Sequence, residues 1–341
     1  MAGRPSLHRP WAILLSLALL GVIATTVLAG RPVDDPGAPA EPAASASSDG
    51  PSRGPSGSPG AGSGLGGFDL LPATPPLHLK PRLPGGRTAV FGQGRFLVAY
   101  YGTAGTGALG VLGETNPDTA TQRLRRAARP FARPGRPVQP VYELIVTIAD
   151  ASPGRSGDYS HAIARTAVQR YIDAAHRHGA LLLLDIQPGR SHFLPAAQHW
   201  AWALRDPWVG LALDPEWRMG PRQVPAHVVG SVSTAEVNRT AAWLASFTRA
   251  HHLPQKLFVV HQFKTSMIRD IGTIRRHPEL ALVQHVDGFG TPSQKLATYH
   301  TVARPRLFTM GFKLFYDEDV HRMSARAVQA IRPPVRFVSF Q

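Results

Sequence analysis

The sequence contains no cysteine. That excludes a disulfide scaffold, a lipid-anchored lipoprotein, a thiolate nucleophile and a Cys-ligated zinc, so the folded part must hold itself by its core. Acidic residues are scarce, with 22 Asp and Glu against 37 Lys and Arg and a formal net charge of +15. Losing Arg4 and Arg9 with a leader would lower this only to +13 (15 − 2). A chain this basic favours polyanions, and outside a cell these are anionic lipid head groups and phosphate- or uronate-bearing wall polymers. Nucleic acid is not an expected partner, because no basic stripe with interleaved aromatics occurs. There is no phosphate-cradling P-loop, and the glycines of Gly102-Thr103-Ala104-Gly105-Thr106-Gly107 lack the spacing of a dinucleotide fingerprint. No cofactor is called for, and no internal repeat is present.

One long hydrophobic run stands out. Trp11 to Ala29 is almost wholly apolar, follows Arg4 and Arg9 with no preceding acid, and is long enough to cross a bilayer at about 1.5 Å per residue. Val27-Leu28-Ala29 before Gly30 suits a signal peptidase, so residues 1–29 read as either a cleaved signal peptide or an N-terminal membrane anchor. Either reading places the rest of the chain outside the cell or on its surface. Residues 30–85 are rich in Pro, Gly, Ser and Ala, with too few large apolar groups to offset the entropy of ordering, and read as a disordered linker.

Residues 86–341 alternate short apolar runs with longer amphipathic segments, the pattern of repeated βα units. The runs are Phe96 to Tyr101, Val141 to Ile148, Leu181 to Ile186, Val209 to Asp214, Leu257 to Gln262, Leu280 to Val286, Leu307 to Leu314 and Val335 to Phe340. Eight strands over roughly 250 residues predict an α/β fold, a (β/α)8 TIM-type barrel, with an open doubly wound sheet as the alternative. Ser233-Thr234-Ala235-Glu236 reads as a capping box opening a helix to about His252, Gly179 closes a helix from about His161, and Thr119 to Ala128 is the one helix between the first two strands. The sequence stops at Gln341, directly after the last run, so the eighth helix is expected to be missing or replaced, with part of residues 65–90 a candidate to cover that outer face.

In such a barrel the polar residues that end the strands converge at one mouth. They are Tyr100 and Tyr101, Thr147, Asp185 and Gln187, Asp214 and Glu216, His261 and Gln262, His285 and Asp287, Lys313 with Asp317, and Ser339 with Gln341. Burying several ionisable groups costs free energy unless they are paired or functional, so the coincidence marks a candidate site. Asp214 and Glu216 carry the sharpest signal. Strand alternation puts them on the face of Gly210 and Ala212, opposite Val209, Leu211, Leu213 and Pro215. A second acid in phase with the first is not needed for a turn. Each of the others has a plainer reading: Asp185 could cap a turn, His261 and His285 could be satisfied core residues, and Lys313 could keep neighbouring carboxylates ionised.

Two carboxylates in different environments can divide acid and base roles, as glycoside hydrolysis requires. Trp217 and Phe289, with Tyr100 and Tyr101, would offer faces on which sugar rings stack. The Asp214-x-Glu216 pair at the end of strand four resembles barrel glycoside hydrolases of the lysozyme-like family 25 and the chitinase-like family 18. That resemblance implies Glu216 as general acid with Asp214 assisting; Asp185 completes the candidate catalytic set. Gln187, His261, His285, Asp287 and Lys313 join the aromatics as candidate substrate-binding residues. The chain departs from both families: Trp208, Val209 and Gly210 stand where the chitinase-like acidic motif would lie, and the first strand lacks the early Asp of the muramidases. The domain as a whole resembles exported actinobacterial proteins, a likeness that implies no activity.

The expected function is thus a glycoside hydrolase-like enzyme acting on carbohydrate or an anionic cell-wall polymer. Two alternatives stand beside it. One is a non-catalytic polysaccharide-binding barrel. The other is a metal-dependent hydrolase using Asp185, Asp214, His261, His285 and Asp287, although no His-x-His or His-Glu-x-x-His spacing occurs.

Overall fold

The computed structural model describes residues 80–341. The apolar run 11–29 and all of the expected linker up to residue 79 lie outside them. Among the described residues, no helix is long and apolar enough to cross a membrane.

Eight parallel strands close on themselves. They are β1 (Phe96–Gly102), β2 (Val138–Ala149), β3 (Leu181–Ile186), β4 (Val209–Leu213), β5 (Lys256–Gln262), β6 (Leu280–Val286), β7 (Thr309–Leu314) and β8 (Val335–Phe340). Each pairs with its neighbours in the sequence, and β8 pairs with β1 through Leu97↔Phe337 to Tyr100↔Phe340. The open-sheet alternative is thereby set aside, since the ladder leaves no barrel strand at an edge. Helices α1 (Pro117–Ala128), α2 (Arg165–His178), α3 (Phe193–His199), α4 (Ala201–Leu204), α5 (Thr234–Ala250), α6 (Pro292–Val302) and α7 (Ala325–Ala330) lie outside the barrel.

Strand alternation sorts the side chains into two cores. Phe96, Val98, Tyr142, Leu144, Leu182, Leu184, Val209, Leu211 and Leu213 face the helices. Leu97, Ala99, Val141, Leu181, Leu183, Ala212, Leu257, Val259, Ala281, Val283 and Phe337 fill the barrel interior. This interior set is apolar only toward the N-terminal ends of the strands. Leu83 and Val90 close it from below, anchored by the buried Arg87, which donates to Pro84 O, Val90 O and Gln139 Oε1. Residues 83–90 therefore plug the N-terminal mouth rather than cover an outer face. The helix-facing side of β8 and β1 is covered instead by Phe131, stacked on Phe96 at 5.4 Å, and by Tyr316, stacked on Phe340 at 5.5 Å.

Local expectations need two adjustments, while the helix stop at Gly179 is as expected. α2 begins at Arg165 because Ser160–Ala162 pairs antiparallel with Thr147 to Ala149, extending β2 beyond the mouth as a hairpin. Gly179 ends that helix in the left-handed conformation at φ 66°. The capping box before α5 is half made: Ser233 Oγ accepts from Glu236 N at 3.3 Å, but the Glu236 carboxylate turns to Phe193 N at 2.9 Å and Arg218 Nε at 3.1 Å. An inter-element pairing has outcompeted the local one.

Candidate active site

Above the apolar plug, the interior changes character. Inward positions at the C-terminal ends of the strands carry Tyr101 on β1, Glu143 on β2, Asp185 on β3, His261 on β5, His285 on β6, Lys313 on β7 and Ser339 on β8, all buried. Asp214 follows β4 and Asp287 follows β6, each continuing the inward phase of its strand. The register brings His261 opposite His285 and sets His285 opposite Gly311. A Cβ at Gly311 would lie 2.5 Å from His285 Cδ2, so the ring occupies space that only glycine leaves.

The layer is wired in two halves. In one, the Asp287 carboxylate receives both histidines, with Oδ2 2.7 Å from His261 Nδ1 and Oδ1 2.7 Å from His285 Nδ1. Lys313 Nζ stands 3.7 Å from Asp287 Oδ2 and 3.4 Å from the centre of the Tyr101 ring. His261 Nε2 approaches Glu143 Oε1 at 3.2 Å, and His285 Nε2 meets Ser339 Oγ at 3.3 Å. In the other half, the Tyr101 hydroxyl donates to Asp185 Oδ2 at 2.8 Å and lies 3.5 Å from Asp214 Oδ2, while Gln187 Nε2 donates to the Tyr101 oxygen at 3.3 Å. Asp185 Oδ1 and Asp214 Oδ1 are buried without a hydrogen-bond partner.

This wiring separates the carboxylates. Burial works against charge on Asp287, but His261, Lys313 and two hydrogen-bonded imidazoles outweigh it and hold the carboxyl well below its ordinary range. Glu143 is likewise lowered against its burial by His261. His261, flanked by those two acids, is raised well above the usual histidine value despite desolvation, whereas His285 is lowered, burial being the larger effect. Lys313 stays cationic through Asp287, Glu143, Asp214 and Asp185. On the other side, burial pushes Asp185 up to about 6. Burial and the neighbouring Asp185 push Asp214 up to about 8. Glu216 rises well above its ordinary value through desolvation, then the charges of Asp214 and Asp287. The wiring thus favours anionic Asp287 and Glu143 facing cationic His261 and Lys313 in one half, and shifts Asp214 and Glu216 toward their protonated forms in the other.

Glu216 arrives by a different local structure from the one alternation suggests. β4 ends at Leu213, and Pro215–Trp217 forms a single 3-10 turn. Gly230 N donates to Glu216 O at 2.6 Å, and a Cβ at Gly230 would lie 2.6 Å from that same oxygen, so close backbone approach fixes the turn. Glu216 is half-buried at the rim, where the charges of Asp214 and Asp287 act on its carboxyl.

Not every expected site residue is brought to the mouth. Tyr100 faces outward, its hydroxyl 3.2 Å from that of Tyr316 and its ring edge-on to Phe340, because adjacent strand residues cannot share a face. It packs beneath helices and is withdrawn as a substrate contact. Trp217 and Phe289 are half-buried at the rim, the latter edge-on to Phe315 at 5.9 Å. Thr147 serves structure, accepting from Trp200 Nε1 at 3.0 Å. In the acidic run after β7, Asp319 rather than Asp317 turns inward, pairing with the buried Lys295 at 2.8 Å, while Asp317 is exposed. Sequence reasoning passed over Glu143, which lies mid-strand inside an apolar run; its parity with Val141 was the available signal.

Among the described residues, one group could hold a metal: His261, His285 and Asp287, whose ligand atoms lie within 4.8 Å of one another. The Nδ1 atoms of both histidines are engaged by the Asp287 carboxylate at 2.7 Å, so the three residues already form a hydrogen-bonded triad. Comparison with protein-family models and with curated proteins yields no match.

Proposed function

We propose that the chain is a glycoside hydrolase-like enzyme acting on extracellular or cell-wall polysaccharide. One arrangement carries the reading: at the end of β4, burial and neighbouring acids push Asp214 and Glu216 toward their protonated forms, Glu216 at the rim, beside carboxylates that His261 and Lys313 hold toward ionisation. Hydrolysis of a glycosidic bond needs a proton on the departing oxygen and negative charge near the anomeric carbon as positive charge develops there. In this proposal Glu216 donates the proton as the C–O bond breaks, and the neighbouring Asp214 assists by orienting the substrate. Asp185, ionised above about pH 6, accepts the proton of the attacking water. Trp217 and Phe289 offer ring faces to sugars at the rim. Export through residues 11–29 puts the substrate outside the cell, consistent with the resemblance to exported actinobacterial proteins and to strand-four Asp-x-Glu enzymes.

A metal-dependent hydrolase is the second reading, supported by the compact His261, His285 and Asp287 group. The deciding experiment screens the full chain against glycans and wall fragments, with and without chelator, beside Glu216→Gln. Glutamine keeps the shape but cannot give up a proton. Turnover should therefore fall by about 10²- to 10⁴-fold with ligand affinity nearly unchanged. Loss of wild-type turnover on chelation would favour the metal. Binding without turnover by the wild type would make the barrel a polysaccharide binder, and unchanged hydrolysis by Glu216→Gln would remove it as the acid.

A further inference from the structure

A cavity lies at the opposite mouth of the barrel, where the proposed mechanism uses nothing. Phe91, Gln255, Arg276, His277, Thr309 and Arg336 line a cavity of about 380 Å³ beside the N-terminal ends of β5, β6, β7 and β8. Its chemistry is one-sided. The lining includes two guanidiniums, an imidazole, a hydroxyl and a carboxamide, and no carboxylate. Arg276 makes no ion pair or hydrogen bond among the described residues, and His277 Nε2 is buried without a partner. Glu279, the nearest acid along the chain, is turned away to Arg249 at 3.0 Å. Arg336 stacks on Phe91 with its guanidinium carbon 4.8 Å from the ring centre, and its Nη2 donates to Phe91 O and Arg95 O, so its charge is held in place by neutral groups.

We propose that this cavity binds a phosphate group carried on a small polyol or on a polymer of such units. A guanidinium without a counter-ion, beside a second one whose hydrogen bonds are to neutral carbonyls, favours an oxyanion between them. A carboxylate is planar and is satisfied by a single guanidinium fork. The donors here stand on separate elements, Arg276 and His277 before β6, Thr309 on β7 and Arg336 on β8, an arrangement that suits a tetrahedral group with three free oxygens. The volume lies within the range of small-ligand pockets and leaves room for an organic carrier beside the phosphate.

The test titrates the full chain with inorganic phosphate, glycerol 3-phosphate, poly(glycerol phosphate) and glucuronate at physiological ionic strength. Saturable phosphate binding should weaken at least 10-fold in the Arg276→Gln, His277→Gln double variant and in the exposed charge reversal Arg276→Glu. The remote control Arg222→Gln should stay within twofold of wild type, and thermal melting confirms that each variant folds. Equal affinity for inorganic phosphate and glycerol phosphate would identify free phosphate as the ligand, and tighter polymer binding would identify the wall-type source; both uphold the site. Glucuronate binding as tight as phosphate, equal loss in the Arg222 control, or no saturable phosphate binding would overturn it. Glycan hydrolysis by the double variant should be unchanged, which keeps this site independent of the proposed enzyme.

Discussion

Replacing Asp214 by Asn should stabilise the protein at pH 8 and leave it almost unchanged at pH 4. The carboxyl is 2% exposed and its Oδ1 has no partner, so the folded state accepts it far more readily with a proton than without. Its pKa rises from 3.8 in a free side chain to about 8 in the fold. Between those values the folded state binds more protons than the unfolded one, so stability falls as pH rises, by about 1.4 kcal/mol per pH unit for this group. The full window would cost an upper bound of about 6 kcal/mol. Relaxation and water entry at the mouth screen the effect, and we expect roughly half, about 3 kcal/mol. Asparagine fills the same volume, keeps an acceptor for the Tyr101 hydroxyl and carries no charge at any pH. Urea unfolding at pH 4, 6 and 8 measures this directly, with wild type and variant diverging as pH rises. Equal stability at all three values, or an Asp214→Asn variant less stable than wild type at pH 8, would refute the assignment of Asp214 as a buried, unpaired carboxyl. Stabilisation should come with lost turnover, as expected of a strained catalytic group.

The opposite outcome is expected at Asp287. Asp287→Asn removes the charge that meets both histidines and Lys313, leaving His261 and Lys313 buried with Glu143 as their chief remaining anion, and should cost about 3–5 kcal/mol in urea unfolding at pH 7. His261 is raised against its burial by Asp287 first and Glu143 second; its contribution to stability is complete below about pH 6.5 and lost as pH rises through the folded value, so in the variant an NMR titration should find His261 deprotonating at lower pH. A His261 titration like that of wild type would contradict the wiring. Gly311→Ala should cost about 1–3 kcal/mol by thermal melting and displace the His285 ring, because the new Cβ would lie 2.5 Å from it; wild-type melting would show that the ring has room.

Much of this architecture is legible in the chain. The bounds of β3, β6 and β8 coincide with their apolar runs, and inward parity on β3 to β6 follows from alternation once the barrel is assumed. Gly210 and Ala212 before Asp214 already mark the crowded inner face. What local pattern cannot supply is pairing at a distance. Asp287 clamps two histidines from different strands only because the closed sheet sets His261 opposite His285. Glu143 is hidden by its apolar neighbours, and Tyr100 is misplaced because two consecutive aromatics at a strand end give no sign of which faces in. Glu236 reads as a cap, whereas a distant backbone amide and Arg218 claim its carboxylate. Pro215 ends the strand, so Glu216 reaches the mouth on a turn rather than by strand alternation.

The central claim is that protons reside on Asp214 and Glu216 at neutral pH while Asp287 carries charge. Infrared difference spectroscopy at pH 7 separates the stretch of a protonated carboxylic acid from that of a carboxylate. Wild type minus Glu216→Gln, and wild type minus Asp214→Asn, should each reveal a protonated carboxylic acid band; wild type minus Asp287→Asn should reveal only carboxylate bands. Carboxylate bands alone in the Glu216 difference would contradict the account, because a group already ionised at pH 7 has no proton to give.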